Sequence, residues 1–420
     1  MSAKVLLHVG TPKTGTSFLQ EVLFRSQEKL AEHGIIYPAE RFDAHFLAAL
    51  DLMKMPWGGL QSEAVGAWDR LAEQVRAHDG TAIISHEILA TASRSQVARA
   101  MESLGHPETE VHVILSVRDL MRQIPAEWQE NVKHRSGVSY GRFLKRIMNP
   151  SRSSRVGSWF WGVQEIPDIA NRWGHDLPPE RIHLVTVPPP GGAPDLLWKR
   201  FVEAFGLEGI DLDLEADRAN PSLGVPETAL VRRINRSANR ALPPEHYRPL
   251  VRELLAHQTL SQRTDTPRLA LPPDVRPWVR EVETSYVTEI NQRGYHVIGD
   301  VDDLIGGATE ATEPADPSAE VAAGDTVTKW DDPDRPKQRE VADAAVDAIR
   351  ALLLENARMR EVETHLAHEL HETRAALERS YLRPTYRLRE KIVNRLQDGR
   401  TGRGALQVYR ALRGRNSRST

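Results

Sequence analysis

The sequence predicts an α/β fold, three layers around a central parallel sheet, with a C-terminal helical extension. Three observations carry this. Four short runs, Val5–Val9, Thr81–Ser85, Val111–Val117 and Ile182–Val187, are near-continuously apolar, as strands covered on both faces must be. Segments of helical period separate them, for example Ser17–His33 and Ala64–His78. The first strand runs into a glycine-containing turn and then a helix, which leaves backbone N–H groups free at the helix start.

The chain has 420 residues, enough for one large domain with appendages. It is 40% hydrophobic and 27% charged, with a formal net charge of −3. That balance argues against a dedicated nucleic-acid binder, whose surface would be basic overall. There is no cysteine, so disulfides, thiolate zinc sites and cysteine nucleophiles are excluded. The apolar run of MSAKVLLHVG is too short for a signal segment and reads as a buried strand. No stretch reaches the roughly 18 apolar residues that a membrane span needs. The expectation is a cytoplasmic protein.

Residues 1–305 read as one domain, with further helices over 219–260 and 273–292. From Asp300 to Asp334 there are eleven acidic residues and one basic one, Lys329, so 306–336 reads as an acidic, solvated, disordered linker. A long helix follows over 337–380. Its a/d-type positions are Ala345, Ile349, Leu352, Asn356, Met359, Glu363, Leu366, Leu370, Thr373 and Leu377. An Asn at an a position can fix the register of a dimeric coiled coil, so one expectation is a homodimer through this helix. A helix packed on its own domain accounts for the pattern equally well. The tail 381–420 carries eleven Lys/Arg against Glu390 and Asp398, with tyrosines and aliphatics interleaved. Such a tail can lie on an anionic membrane at the inner face, or be neutralised by the acidic linker.

The loop His8–Phe18, HVGTPKTGTSF, carries the chemistry. Backbone amides and the helix dipole at the start of a helix favour an anion. Gly10 and Gly15 permit close backbone approach, and Pro12 stiffens the turn between them. Lys13 supplies a point charge, and Thr14, Thr16 and Ser17 supply hydroxyls. The loop is not a Walker A loop, which needs Gly-Lys-Ser/Thr in that order. Here Gly15 is followed by Thr16, and the lysine precedes that glycine. No acidic partner for a metal stands out, and no metal is expected.

The Pro12–Ser17 order resembles the 5′-phosphosulfate loop of the sulfotransferases, whose donor is 3′-phosphoadenosine 5′-phosphosulfate. The run Ser116-Val117-Arg118-Asp119 at the end of the third apolar strand resembles the same family's 3′-phosphate element. There an arginine is followed eight residues on by a serine. Arg118 matches, and Ala126 stands where the serine would be. Weaker matches are Ser85-His86-Glu87, Trp159–Gln164, the run before Leu197-Trp198, Asn220–Gly224 and Gly294–Asp300. Over residues 1–305 the chain is similar to bacterial, actinobacterial-type sulfotransferase-like proteins of the P-loop sulfotransferase superfamily.

The resemblance implies a P-loop-type fold and in-line transfer of a sulfuryl group to a hydroxyl of a carbohydrate or glycolipid. Lys13 and the loop amides would steady charge on the leaving phosphate. The acceptor hydroxyl needs a general base. Glu87, then His86, are the candidates, because they follow a strand at the edge where parallel sheets place ligands. The alternative is that Glu87 caps the next helix and His86 packs on the sheet. His45 can line the acceptor side or be a core histidine. Lys133 and Arg135 can engage an anionic acceptor or form a solvated helix face. Trp159 and Trp161 can stack on a sugar or form core. Two rival functions stand beside transfer of a sulfuryl group: a P-loop kinase-like nucleotide enzyme, and a non-catalytic assembly module with this fold.

Overall fold

The computed structural model describes residues 2–57, 59–214, 222–306 and 330–382, with Lys391. The chain forms two compact units, residues 1–348 and 349–420. In the first, six strands build one all-parallel sheet: β1 Lys4–Gly10, β2 Ile35–Ile36, β3 Thr81–Ser85, β4 Glu110–Val117, β5 Ile182–Thr186 and β6 His296–Ile298. Their order is β2-β3-β1-β4-β5-β6.

Alternation along the strands fills both faces. Leu6, Ile83, Ile114, Val185 and Ile298 meet Leu19, Leu23, Phe201 and Phe205 in one buried cluster. The intervening Val5, Leu7, Val9, Val113 and Leu115 are buried as well, on the opposite face. Both faces are therefore closed by helices, which is why these strands read as unbroken apolar runs.

The topology fixes where a ligand can sit. After β1 the chain travels to the β2 edge and returns through β3. After β4 it continues the other way, to β5 and β6. The winding therefore reverses between β1 and β4, and a crevice opens at the carboxyl ends of these two strands. The loop after β1 and Arg118 after β4 both lie at that point.

The sequence reading differs from the structure in several places. Ser17–His33 is not one helix but two, Thr16–Arg25 and Gln27–Glu32, broken at Ser26. The segment 219–260 is broken by Pro243 and Pro244, which cannot continue the helix Val225–Ala238. The chain resumes as a short turn and then a wide π-type helix over Arg248–Thr259. β2 and β6 are additional strands.

Of the acidic linker expected over 306–336, residues 307–329 lie outside the described residues. Its last part is packed rather than solvated. Trp330 donates its indole N–H to the Ala270 carbonyl at 3.1 Å. Asp334 accepts from the amides of Tyr140 (3.0 Å) and Gly141 (2.9 Å) and pairs with Arg232 at 3.2 Å. A carboxylate is favoured there because those N–H groups open the helix Tyr140–Ile147 and have no partner within it.

The long helix runs Gln338–Leu382, with Val341, Ala344 and Ala348 buried in the first unit. No helix among the described residues is long and apolar enough to cross a membrane. Apart from Tyr381, Leu382 and Lys391, the basic tail lies outside the described residues, and the expected membrane contact with it.

Candidate functional site

The loop after β1 is held from beneath. Gly10 (φ +140°) lies so close to the turn after β3 that a Cβ there would be 3.1 Å from the Glu87 carbonyl oxygen. Thr11 donates its amide to the Ser116 carbonyl at 2.7 Å. The Gln123 side-chain amide donates to the Pro12 carbonyl. Gly15 is left-handed (φ +89°) and starts the helix Thr16–Arg25 without any side-chain cap. The first-turn amides of that helix are thus left without a capping side chain, as an anion site requires. Lys13 is itself left-handed (φ +66°), an uncommon conformation for a residue with a Cβ.

The hydroxyls divide. Thr14 is almost fully buried, and its Oγ1 bonds the Thr11 carbonyl (2.6 Å) and Ser116 Oγ (2.5 Å). It braces the loop and does not face a ligand, a correction to its expected role. Thr16 is buried at the helix start, and Ser17 is exposed. Below the loop, the fully buried His8 joins three strands. Its Nδ1 meets Ser85 Oγ at 2.8 Å and its Nε2 meets Ser116 Oγ at 3.0 Å. Burial pulls this imidazole down to about 4, so it is neutral at pH 7.

Lys13 does not point freely into solvent. Its Nζ sits 2.5 Å from Glu130 Oε2. The same carboxylate bonds His134 Nε2 at 3.0 Å and Arg252 at 3.2 Å. Burial pushes the Glu130 carboxyl up, but the His134 bond and the Lys13 charge hold it well below the usual range. Neighbouring Glu127 goes the other way. Burial raises it to about 7 against the pull of Lys13. Lys133 is also buried, and burial lowers it to about 8, so the solvated-face reading of this residue does not hold. Arg135 is structural: it bonds the Asn239 and Leu242 carbonyls and covers the Tyr247 ring.

Arg118 closes β4. Burial pulls its guanidinium down to about 10, Nη2 donates to the Arg122 carbonyl at 3.1 Å, and Nε is buried with no hydrogen-bond partner among the described residues. A buried donor without a partner is uncommon, and Arg232 Nε is a second case among the described residues. The two residues nearest Arg118 do not replace the serine missing at Ala126. Arg122 is committed to Asp119 and to the carbonyls of Val187 and Pro188. Gln123 spends its amide group on Pro12. Beside Gly15 a cavity of about 430 Å³ is lined by Phe18, Pro194, Leu197 and Trp198.

The capping role, weighed for Glu87, falls to the other base candidate. His86, not Glu87, caps the turn Glu87–Thr91, its Nδ1 accepting from the Ile88 amide at 3.2 Å. A lone pair at Nδ1 places the proton of a neutral ring on Nε2, so His86 presents a donor there. Its ring stacks on Phe46 at 5.0 Å. Glu87 is half-buried and accepts from the Gln20 amide at 2.9 Å. Burial pushes its carboxyl up, but His86 and the Gln20 bond outweigh this and hold it below the ordinary value, so it is ionised at neutral pH.

A run of contacts links these groups. His86 stacks on Phe46, Phe46 meets Trp57, and Trp57 lies 6.1 Å from Trp159 and 6.0 Å from His134, which bonds Glu130, the partner of Lys13. One side of this run is an aromatic wall of Phe46, Trp57 and Trp159. Trp159 belongs to this wall, whereas Trp161 is core and donates to the Ile147 carbonyl. His45 is core too, held by the Pro38 carbonyl and the Ser85 amide.

Sequence reasoning missed Glu130, Glu127, His8 and Gln20. For the first two a signal existed. With Gln123 and His134 they recur at helical spacing on one face of Leu120–Lys133 and its C-cap, the helix that Arg118 precedes. Among the described residues no cluster of three or more His, Cys, Asp or Glu is arranged to hold a metal ion.

No family model matches the chain. No curated protein matches it either. Among solved structures, the chain is similar to the crystal structure of a sulfotransferase from Alicyclobacillus acidocaldarius. The identity is 14% over 70% of this chain and 96% of that one, with a TM-score of 0.38. So loose a likeness carries no weight for activity or for individual residues.

Proposed function

We propose that the chain is a sulfotransferase. It takes a sulfuryl group from 3′-phosphoadenosine 5′-phosphosulfate and passes it to a hydroxyl of a carbohydrate or glycolipid. The observation that carries this reading is the placement of two cationic groups at the β1/β4 switch point. One is Lys13 beside the uncapped Gly15 helix start, and the other is Arg118, whose buried Nε has no partner among the described residues. A donor that carries phosphates on both the 5′ and 3′ oxygens of one ribose fits two such groups.

When bound, the donor supplies an activated sulfuryl group on a phosphate leaving group. The chain's residues do the rest. Lys13 and the amides of the Thr16–Arg25 helix start neutralise charge developing on the departing phosphate oxygen. Arg118 holds the far phosphate. Glu87, ionised and oriented by Gln20, takes the proton of the acceptor hydroxyl as the new O–S bond forms and the S–O bond to phosphate breaks. His86, with its proton on Nε2, orients the acceptor oxygen as a donor. The aromatic wall of Phe46, Trp57 and Trp159 suits the apolar face of a sugar ring.

The test is transfer of label from radiolabelled donor to components of a cell-envelope extract. Wild type is expected to label an acceptor. Glu87→Gln is expected to lose at least about a hundredfold in rate, the lower end of a general base's contribution, while still binding adenosine 3′,5′-bisphosphate. Equal rates for the two would remove Glu87 from the chemistry. Magnesium-dependent ATP hydrolysis lost in Lys13→Ala would favour the kinase-like alternative.

A further inference from the structure

Beyond Ala348 the helix Gln338–Leu382 presents an apolar seam to solvent. Ile349 and Leu366 are each 56% exposed, Met359 55% and Leu377 53%. A single 45-residue helix with such a stripe leaves apolar surface in water that a second helix would remove. We propose that this seam pairs with the same seam of a second copy of the chain, as a parallel, in-register, two-stranded coiled coil. The proposal is independent of the sulfotransferase reading.

The pattern alternates steps of four and three residues without a break from Ala345 to Leu377, about 48 Å of helix. Ile349, Asn356, Glu363, Leu370 and Leu377 take the a positions. Ala345, Leu352, Met359, Leu366 and Thr373 take the d positions. Ile349 at a with Leu352 at the following d favours two strands, and a single Asn at a ties the register.

The flanking charges decide the orientation. The charged g positions are both acidic, Glu355 and Glu369. The charged e positions are both basic, Arg360 and Arg374. In a parallel in-register pair, each g residue faces the e residue five places on in the other helix. Glu355 then meets Arg360 of the second copy, and Glu369 meets its Arg374. An antiparallel pair brings g to g and e to e, so any charged contact is Glu–Glu or Arg–Arg. Within one helix these groups already use local partners: Glu355 pairs with Arg358 at 2.7 Å, and Glu369 lies 3.4 Å from His365. Such exposed pairs are weak and readily exchanged. Asn356, Glu363 and Thr373 interrupt the apolar seam, and Glu363 opposes association most, because two copies place their carboxylates face to face.

The absence of native cysteine makes the test direct. In the full chain, Thr373→Cys puts one thiol on the seam. In the parallel in-register pair the two introduced thiols lie within disulfide reach, whereas an antiparallel pair sends them toward opposite ends. Three results are expected. Light scattering gives twice the chain mass, mild oxidation of Thr373→Cys gives a covalent dimer, and Leu366→Glu halves the mass without changing the circular dichroism of the first unit's melting transition. A monomer, trimer or tetramer mass for the wild type overturns the proposal. So does a dimer mass without the Thr373→Cys disulfide, or one that survives Leu366→Glu.

Discussion

Replacing Glu130 with glutamine should tighten donor binding, although Glu130 is the closest partner of the loop lysine. In the free protein Lys13 is held by the Glu130 carboxylate at 2.5 Å, with side-chain exposures of only 21% and 17%. A donor phosphate must take Lys13 away from that carboxylate. Lys13 keeps its charge, so a glutamine can still accept its hydrogen bond, and what Glu130→Gln removes is the attraction between opposite charges, at most about 1 kcal/mol for such a pair. That corresponds to up to roughly fivefold tighter binding. Arg252 loses its anion as well, and the added positive potential acts in the same direction. The assay is isothermal titration of adenosine 3′,5′-bisphosphate into both proteins at low salt, with circular dichroism to check the fold. Unchanged or weaker binding in Glu130→Gln would refute the idea that this carboxylate competes with the donor. It would make Glu130 a positioning residue for Lys13 instead.

Ala126→Ser restores a hydroxyl eight residues after Arg118. It should tighten adenosine 3′,5′-bisphosphate by up to about tenfold and leave adenosine 5′-monophosphate unchanged, since only the former carries a 3′-phosphate. Acid should destabilise the fold through His8 and His45, both lowered to about 4 by burial. In the unfolded chain they take up protons as the pH falls through 6.5, while in the folded chain they stay neutral until about 4. Stability is therefore full above 6.5 and is lost below it, by about 2 kcal/mol per histidine at pH 5. Urea titrations at pH 7 and pH 5 measure this, and His45→Gln should flatten the dependence. A midpoint that does not move between the two pH values would show that these rings are not desolvated.

The fold was legible where a strand is long and buried on both faces. β1, β3, β4 and β5 lie within a residue or two of the apolar runs that predict them. β2 and β6 are two and three residues long, too short to show any period, and they exist only because a neighbouring strand supplies partners. In the site, the loop and Arg118 were legible because their residue order carries its own chemistry. Glu130 was not: the helical spacing it shares with Gln123, Glu127 and His134 marks a face, but its contact with Lys13 spans 117 positions and no local pattern names that partner. His8 hides in an apolar strand, where its two serine partners become visible only once three strands align. That His86 and not Glu87 caps the turn follows from one backbone detail: the extended conformation of His86 turns its ring onto the Ile88 amide. The packing of Trp330 and Asp334 was hidden by an acidic composition that records charge and says nothing of partners.

One titration reaches the central claim most directly. Adenosine 3′,5′-bisphosphate is added to the full-length protein, to Lys13→Ala and to Arg118→Ala. The two-site reading predicts saturable binding to wild type, loss of binding in Lys13→Ala, and in Arg118→Ala an affinity reduced to that of adenosine 5′-monophosphate. No binding by folded wild type at high micromolar nucleotide, or equal affinity for the bisphosphate and the monophosphate, would contradict it.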